Sequence, residues 1–258
     1  MRGQVRLAIT GSIARVTLSH PGKLNAMSRA MWLELREVFE SIQQDASLRC
    51  VVLAGEGGNF CAGGDISEYA AFRFEQASLR HFHDEQVWGG LQAMLDCDVP
   101  IVAQIEGACM GAGLEIASCC DLRLAGESAR FGAPIAKLGF PMAPREMALV
   151  MCAAGELSTR EMLLTAAVLD AATAAQRGFL NRVLPDHEVV AEATATATGV
   201  ARLAPQAARL NKQSFRALAH IQRAQAATDL IANAYNYAAS AEHREGVMAF
   251  VEKRSPQF

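Results

Sequence analysis

The stretch Gly107-Ala-Cys-Met-Gly-Ala-Gly-Leu-Glu115 decides the fold of this chain, together with a shorter one, Phe60-Cys-Ala-Gly-Gly-Asp-Ile66. Each stretch follows an apolar run that is typical of a buried strand, and each leads into a segment that predicts a helix. Glycine and alanine let backbone N–H groups approach a ligand closely because no large side chain intervenes. Two such N–H groups aimed at one oxygen would form an oxyanion hole, with Glu115 just beyond it. The sequence therefore predicts a site that polarises a carbonyl and moves a proton beside it.

The order of predicted elements around these stretches indicates an α/β fold. The predicted strands are a hairpin over residues 5–9 and 13–18, then 50–54, 101–105 and 122–125. Helical patterns separate them, including one capped by Ser28 and an irregular one over residues 67–96. Strands that alternate with helices predict crossover connections and a parallel sheet.

The last part of the chain has a different character. From about Glu192 it is alanine-rich and helical, with a break at Pro205 and no convincing strand. We therefore expect a core over residues 1–191 and a helical region over residues 192–258 that packs on the core or on a neighbouring subunit.

Composition limits the classes of partner. The 258 residues are 51% hydrophobic and 20% charged, which is typical of a soluble globular protein. A net charge of −3 gives no general attraction to nucleic acid or to an anionic membrane, so neither partner is expected. The N-terminus enters a strand pattern directly and no apolar run has the length of a membrane span. We therefore expect a cytoplasmic protein.

The cysteines and histidines do not form a metal-binding pattern. None of the seven cysteines lies in a Cys-x-x-Cys pair, so buried thiols in a reducing compartment are expected rather than disulfides or a zinc site. His81 and His83 lack a third ligand at a suitable spacing. The sequence predicts neither a metal nor a resident cofactor.

Glu115 admits two interpretations. Its neighbours Gly113, Leu114 and Ile116 are apolar, so an ionised carboxylate here needs partners or a raised pKa. Either condition would suit a general acid or base. The alternative is a glutamate on the exposed stripe of an amphipathic helix, because glutamate is seldom buried. The glycine-rich turn before Glu115 favours the catalytic interpretation, since that turn would supply hydrogen-bond donors beside the acid.

Further motifs follow one another along the whole chain. They are Pro21-Gly-Lys-Leu-Asn-Ala-Met27, the two stretches above, Cys120-Asp-Leu-Arg-Leu-Ala125, Ala129-Arg-Phe-Gly-Ala-Pro134 and Ala249-Phe-Val-Glu-Lys-Arg-Ser-Pro-Gln-Phe258. In this order they resemble the motifs of the enoyl-CoA hydratase/isomerase family, also called the crotonase superfamily. The resemblance implies a spiral of repeated ββα units followed by helices that form a homotrimer or a dimer of trimers. It also implies an enzyme of acyl-CoA and fatty acid metabolism, with coenzyme A present only as part of the substrate.

The resemblance also implies roles for individual residues. The backbone N–H groups of Gly64 and Ala112 would hold the thioester oxygen, and Glu115 would be the acid/base. The other positions implied in substrate and CoA binding are Lys23, Leu24, Ala62, Asp65, Ile66, Ser67 and Lys253. Lys253 would reach a CoA phosphate from its own or a neighbouring subunit. Both lysines are equally well explained as ordinary surface charges.

One position departs from the family pattern. Hydratases of the family use a second glutamate just after the Phe-Gly-x-Pro motif, where this chain has Ile135, which cannot transfer a proton. Arg145 and Glu146 are polar residues near the expected acyl pocket. Glu146 is either an auxiliary acid or an ordinary first-turn glutamate favoured by the helix dipole. Three functions stay open: hydration that is slow or assisted by the substrate, double-bond isomerisation, and acyl-CoA binding without turnover.

Overall fold

The chain folds around two sheets whose strands are connected through helices. The computed structural model describes residues 2–220 and 235–257, without the side chains of residues 217–220 and 242. The strands are β1 (Gln4–Thr10), β2 (Ile13–Ser19), β3 (Cys50–Gly55), β4 (Ile101–Ile105), β5 (Ala108–Met110), β6 (Leu122–Gly126), β7 (Arg130–Gly132), β8 (Val168–Asp170) and β9 (Arg182–Leu184). The helices are α1 (Arg29–Gln44), α2 (Gln76–His81), α3 (Trp88–Asp96), α4 (Ala112–Ser118), α5 (Pro144–Ala154), α6 (Glu156–Thr165), α7 (Ala171–Gln176), α8 (Val189–Ala201), α9 (Pro205–His220) and α10 (Ala241–Val251). Short 3₁₀ helices occur at Ile66–Ala71, Ile135–Leu138 and Asp186–Glu188, and a π-helical segment at Phe82–Val87.

The strand order shows a repeated unit. The larger sheet has the order β1-β2-β3-β4-β6-β9, in which β1 is antiparallel to β2 and the other neighbours are parallel. The smaller sheet has the order β5-β7-β8. The pairs β4–β5 and β6–β7 each place one strand in each sheet before the chain enters α4 or α5. This arrangement of successive ββα units confirms the predicted α/β spiral.

The N-terminal part of the core follows the sequence pattern closely. α1 begins where predicted, because the Ser28 hydroxyl accepts a hydrogen bond from the N–H of Met31 at 3.3 Å. Its apolar face, including Trp32, Leu35 and Phe39, is fully buried. Burial of each such side chain stabilises the fold by about 1.5–3 kcal/mol. The predicted hairpin and the strands β3, β4 and β6 are also confirmed.

The strands that the sequence did not predict are short. β5, β7, β8 and β9 each contain three residues, too few for an alternating pattern to be visible. β5 lies inside the stretch 107–115, which was predicted as a turn. It forms there because its backbone pairs with Cys61 on one side and with β7 on the other.

The helical end of the chain is not separate from the core. α8 begins at Val189, so the predicted division at residue 192 falls inside a helix. Ala193 and Ala197 of α8 pack against Val52, Val102 and Leu124 of the larger sheet. Pro205 is the first residue of α9, where its missing N–H leaves no helical hydrogen bond unmade. The division into two regions and the trimer both stay predictions, and residues 221–234 of the predicted helical region lie outside the described residues.

The cysteines are buried as predicted, except for one. All seven are free thiols, of which six are buried and Cys152 is exposed. In residues 2–220 and 235–257, no cluster of three or more His, Cys, Asp or Glu side chains has the arrangement of a metal site. No helix in that part of the chain is both long enough and apolar enough to span a membrane.

Candidate active site

A short bridge brings the two glycine-rich stretches side by side. The N–H of Cys61 donates to the carbonyl of Ala108 at 2.8 Å, and the N–H of Met110 donates to the carbonyl of Cys61 at 2.9 Å. The two residues joined by this parallel bridge are Cys61 and Cys109. Gly64 and Ala112 follow the bridged pair at equal distances along their stretches, so the backbone delivers both to the same end of the bridge.

The N–H groups of Gly64 and Ala112 are both available to a ligand. A second bridge uses the carbonyl of Gly63 and the N–H of Asp65, each 2.8 Å from the backbone of Met27, so the N–H of Gly64 points the other way. Ala112 is the first residue of α4, where an N–H has no acceptor within the helix. Neither group donates to any residue that the structure describes, and both residues line the same cavity.

One glycine in each of the two stretches is required by the local geometry. A Cβ atom at Gly64 would lie 2.1 Å from the hydroxyl oxygen of Tyr69, so a side chain there would displace the tyrosine. Gly111, which precedes α4, has φ of 47° and ψ of −111°, a conformation that residues with a Cβ rarely adopt. Steric and conformational constraints therefore explain why glycine occupies these two positions, which the sequence predicts to permit close approach.

The cavity beside these N–H groups has a volume of about 320 Å³. Its apolar lining includes Trp32, Ile66, Phe82, Val87, Ile135, Phe140, Met142 and Phe250. Its polar lining consists of Tyr69, Arg73, His83, Glu115 and Lys137. A largely apolar cavity with a few convergent polar groups is the usual form of a small-molecule site.

Glu115 is directed into this cavity rather than to the outer surface. It is half-buried, and Leu114 and Ile116 on either side of it are fully buried. Burial and, to a smaller extent, the negative charge of Glu146 raise the pKa of Glu115 to about 8, although the positive charge of Arg73 opposes the rise. A carboxyl group with this pKa exchanges protons near neutral pH, as a general acid or base requires.

Lys23, Asp65 and Ser67 form one hydrogen-bonded group next to the cavity. The ammonium of Lys23 donates to Asp65 at 2.6 Å and to the Ser67 hydroxyl at 2.8 Å. Burial alone would raise the pKa of Asp65, but hydrogen bonds from Lys23 and Ser67 and the charge of Lys23 lower it below its ordinary value. The three predicted binding residues are therefore brought together, with Lys23 exposed and Asp65 buried.

The other predicted binding residues have different positions. Ala62 and Ile66 line the cavity, and the N–H of Ala62 donates to the carbonyl of Leu24 at 3.0 Å. Leu24 itself is exposed. Lys253 follows the end of α10, is exposed and does not line the cavity, although Phe250 of α10 does. The predicted contact of Lys253 with a CoA phosphate stays a prediction.

The structure also shows the positions of the residues at which the chain departs from the family pattern. Ile135 lines the cavity at the side where the resemblance implies a second glutamate. Glu146 is 2% exposed and is absent from the lining; its carboxylate instead contacts Nδ1 of His83 at 3.0 Å. Arg145 lies outside the cavity, with its guanidinium 5.7 Å from the ring centre of Trp88. Within the described residues, Glu115 is the sole carboxylate of the lining.

The sequence analysis missed the polar wall of the cavity. Arg73 is 1% exposed and lies between the rings of Tyr69 and Phe140, 4.4 Å and 4.1 Å from their centres. Its guanidinium contacts Nε2 of His243 at 3.3 Å, Nε2 of His83 at 3.4 Å and the hydroxyl of Tyr237 at 3.2 Å. We call Arg73, His83, Tyr237, His243 and Glu146 the Arg73 cluster. Its one visible signal in the sequence is an arginine between Phe72 and Phe74 in a segment rich in aromatic residues.

Comparison with known proteins identifies the fold and the family. The chain is 31% identical to the 2,3-dehydroadipyl-CoA hydratase of Escherichia coli K12 over 244 residues, which cover 94% of this chain and 93% of that protein. Its structure resembles that of an enoyl-CoA hydratase/carnithine racemase from Magnetospirillum magneticum, with 36% identity, a TM-score of 0.82, and coverage of 98% of this chain and 94% of that one. A methylmalonyl-CoA decarboxylase has a TM-score of 0.88 and 23% identity, covers 99% of this chain and 98% of its own, and shares the fold alone.

These findings define a crotonase-type enzyme of the enoyl-CoA hydratase or isomerase class. A family model described as Enoyl-CoA hydratase/isomerase matches residues 8–258. The chain therefore belongs to the enoyl-CoA hydratase/isomerase family. The fold and enzyme class expected from the motifs are confirmed.

Proposed function

We propose that this protein binds an acyl-CoA thioester through the N–H groups of Gly64 and Ala112 and moves a proton on the acyl group with Glu115. The observation that carries the proposal is the presence of two unpaired backbone donors and one carboxylate with a raised pKa in a single cavity. Family membership supports the acyl-CoA class of substrate. Lys23 and Ser67, which adjoin the cavity through their contacts with Asp65, are suited to the CoA portion.

The reaction best suited to a single carboxylate is migration of a double bond. The two N–H groups hold the thioester oxygen as it gains negative charge. Each such donor lowers the barrier by about 2.7–4 kcal/mol. Glu115 takes a proton from the γ carbon, which leaves a dienolate, and returns it to the α carbon. The double bond moves from the α,β to the β,γ position and the carboxylate is regenerated. Ile135 fits this interpretation because no second ionisable group is needed opposite Glu115.

Hydration is the second candidate, and the position of His83 favours it. The lost glutamate leaves an aliphatic side chain at Ile135, but the imidazole of His83 borders the same cavity and is held by the buried Glu146. In this case Nε2 of His83 would exchange its contact with Arg73 for one with a water, which Glu115 would activate at the β carbon. His83 replaces the missing group from another part of the chain.

Turnover of a panel of enoyl-CoA thioesters tests the proposal, with hydration and double-bond migration measured separately. Loss of the acid/base should reduce kcat of Glu115→Gln by about 10²–10⁴-fold, since proton transfer by a positioned group contributes that much. The matched control Glu127→Gln changes an exposed glutamate and should leave kcat unchanged. Equal turnover by wild type and Glu115→Gln would contradict the role of Glu115. Binding of thioesters without any turnover would favour a non-catalytic acyl-CoA-binding protein.

The effect of His83→Gln separates the two reactions. If hydration is the reaction, this variant should lose hydration. If migration is the reaction, His83→Gln should retain most of the activity.

We also propose the homotrimer, or a dimer of trimers, as the assembly, which sedimentation of the purified protein would test.

A further inference from the structure

We propose that Arg73 makes the acyl pocket selective for acyl groups that carry a carboxylate at the end distant from the thioester. This inference rests on the proposed function, since it assumes that the acyl group occupies the cavity beside Gly64 and Ala112. It names the chemical class of that acyl group. The observations that carry it are the burial of Arg73, the neutral character of its partners and its place in the cavity lining.

The partners of Arg73 among the described residues are neutral acceptors. Its Nε–H donates to Nε2 of His243, and the Nδ1 atom of that ring is 3.0 Å from the carbonyl of Ala238, so His243 is neutral with its proton on Nδ1. Burial lowers the pKa of His243 to about 4, which agrees with the neutral form. The hydroxyl of Tyr237 accepts from a terminal nitrogen of Arg73.

His83 is held in the same tautomer by its two contacts. An N–H of Arg73 is directed at Nε2 of His83, which must then be the acceptor. Nδ1 therefore carries the proton and donates it to the carboxylate of Glu146. Glu146 thus contacts the histidine and not the arginine, and no carboxylate of the described residues forms an ion pair with Arg73.

Among the described residues, this arrangement leaves a positive charge without a directly paired anion. A buried guanidinium usually has a carboxylate partner because an unpaired buried charge is strongly unfavourable. Here the rings of Tyr69 and Phe140 supply cation–π contacts on both sides of Arg73 instead. Three of its five N–H donors are accounted for by the neutral acceptors. Donors and charge remain for a ligand, and an arginine fork matches a carboxylate.

The position of Arg73 suits the acyl group rather than the CoA portion. Arg73 lines the same cavity as Gly64, Ala112 and Glu115, whereas the residues of the Lys23 group do not line it. The positive charge of Arg73 interacts with Glu115 and opposes the rise in the pKa of that carboxyl group. Because burial keeps Glu115 largely protonated at neutral pH, its carboxyl adds little repulsion against an anionic acyl group.

Matched thioesters test the proposal on the wild-type protein. The first pair is pentanoyl-CoA and the CoA monothioester of pentanedioic acid, which differ only by a methyl or a carboxylate group at the end of the chain. The second pair is hexanoyl-CoA and the CoA monothioester of hexanedioic acid. Calorimetry gives the Kd of each. In at least one pair, the carboxylated thioester should bind about tenfold or more tightly, since hydrogen bonds between charged groups contribute that much.

Variants of Arg73 assign the preference to this residue. Arg73→Met should weaken binding of the carboxylated thioester about ten- to hundredfold and change Kd of its neutral partner by less than about threefold. Arg73→Lys keeps the charge without the fork and should give an intermediate loss. Arg145→Met is the matched control, since it removes a neighbouring arginine outside the cavity.

Each outcome decides the proposal. Equal binding of both members of both pairs by the wild type, or weaker binding of the carboxylated member, would overturn it even if Arg73→Met does not fold. Equal weakening of both members by Arg73→Met would show that Arg73 only holds the wall together. Turnover of neutral enoyl thioesters with no carboxylate preference would overturn this inference and leave the proposed function standing. Failure to bind any thioester would overturn both.

Discussion

The two walls of the cavity are built in different ways. One wall consists of backbone: the N–H groups of Gly64 and Ala112, placed by the bridge between Cys61 and Cys109. The other is the Arg73 cluster, whose side chains come from α5, α10 and the segments around residues 73–83 and 237. The backbone wall is suited to a group common to all thioesters, the carbonyl oxygen. The side-chain wall is suited to whatever distinguishes one acyl group from another.

The first prediction removes a donor from the backbone wall and has the largest expected effect. Ala112→Pro deletes the N–H at the first position of α4, where proline is tolerated. Loss of one oxyanion donor should lower kcat by about 10²–10³-fold. Steady-state kinetics on the best thioester measures this loss.

The control for that variant is Glu156→Pro. Glu156 is the exposed first residue of α6 and also follows a glycine with positive φ, Gly155. Both variants should melt close to the wild type, and only Ala112→Pro should lose activity. Similar activity in the two variants would show that the N–H of Ala112 takes no part in catalysis.

The second prediction concerns the side-chain wall and has a smaller effect. The charge of Glu146 raises the pKa of Glu115, so Glu146→Gln should lower that pKa. If Glu115 acts as the base, kcat/KM rises with pH through the pKa of the free enzyme. That rise should move to lower pH in Glu146→Gln, while the maximal kcat falls less than about tenfold. A loss of about 10²-fold or more at every pH would instead assign Glu146 the auxiliary acid role that its sequence position allows.

The third prediction is a dependence of stability on pH, which leaves activity untouched. Glu115 has a pKa raised from 4.5 in the unfolded chain to about 8 in the fold, so the folded state binds the proton more tightly. The contribution to stability is complete below pH 4.5 and is lost as the pH rises towards about 8. The melting temperature of Glu115→Gln should therefore gain on that of the wild type across this range. A constant difference would contradict the raised pKa.

The position of the backbone wall could be predicted from the sequence because its determinants are local. Small residues must occupy fixed positions in each stretch. Gly64 is required because Tyr69 approaches it closely, and Gly111 is required because its φ is positive. The spiral was predictable for a similar reason, since its longer strands and α1 have clear periodicity. The short strand β5 was missed because its existence depends on pairing with Cys61 and β7.

The side-chain wall was not predictable because its contacts join residues far apart in the sequence. Arg73 meets His243 and Tyr237 only after the C-terminal residues pack against the turn that carries it. His83 was considered as a metal ligand, and Glu146 as an acid facing the substrate. The structure instead shows that His83 and Glu146 form a hydrogen bond with each other. No local pattern specifies such a contact.

The most direct test of the account is the carbonyl stretching frequency of a bound, isotope-labelled thioester. If the N–H groups of Gly64 and Ala112 hold the oxygen, the frequency should fall on binding to the wild type, because two hydrogen bonds weaken the C=O bond. The fall should be smaller in Ala112→Pro and unchanged in Glu156→Pro. A bound thioester with the frequency that it has in water would contradict the oxyanion hole.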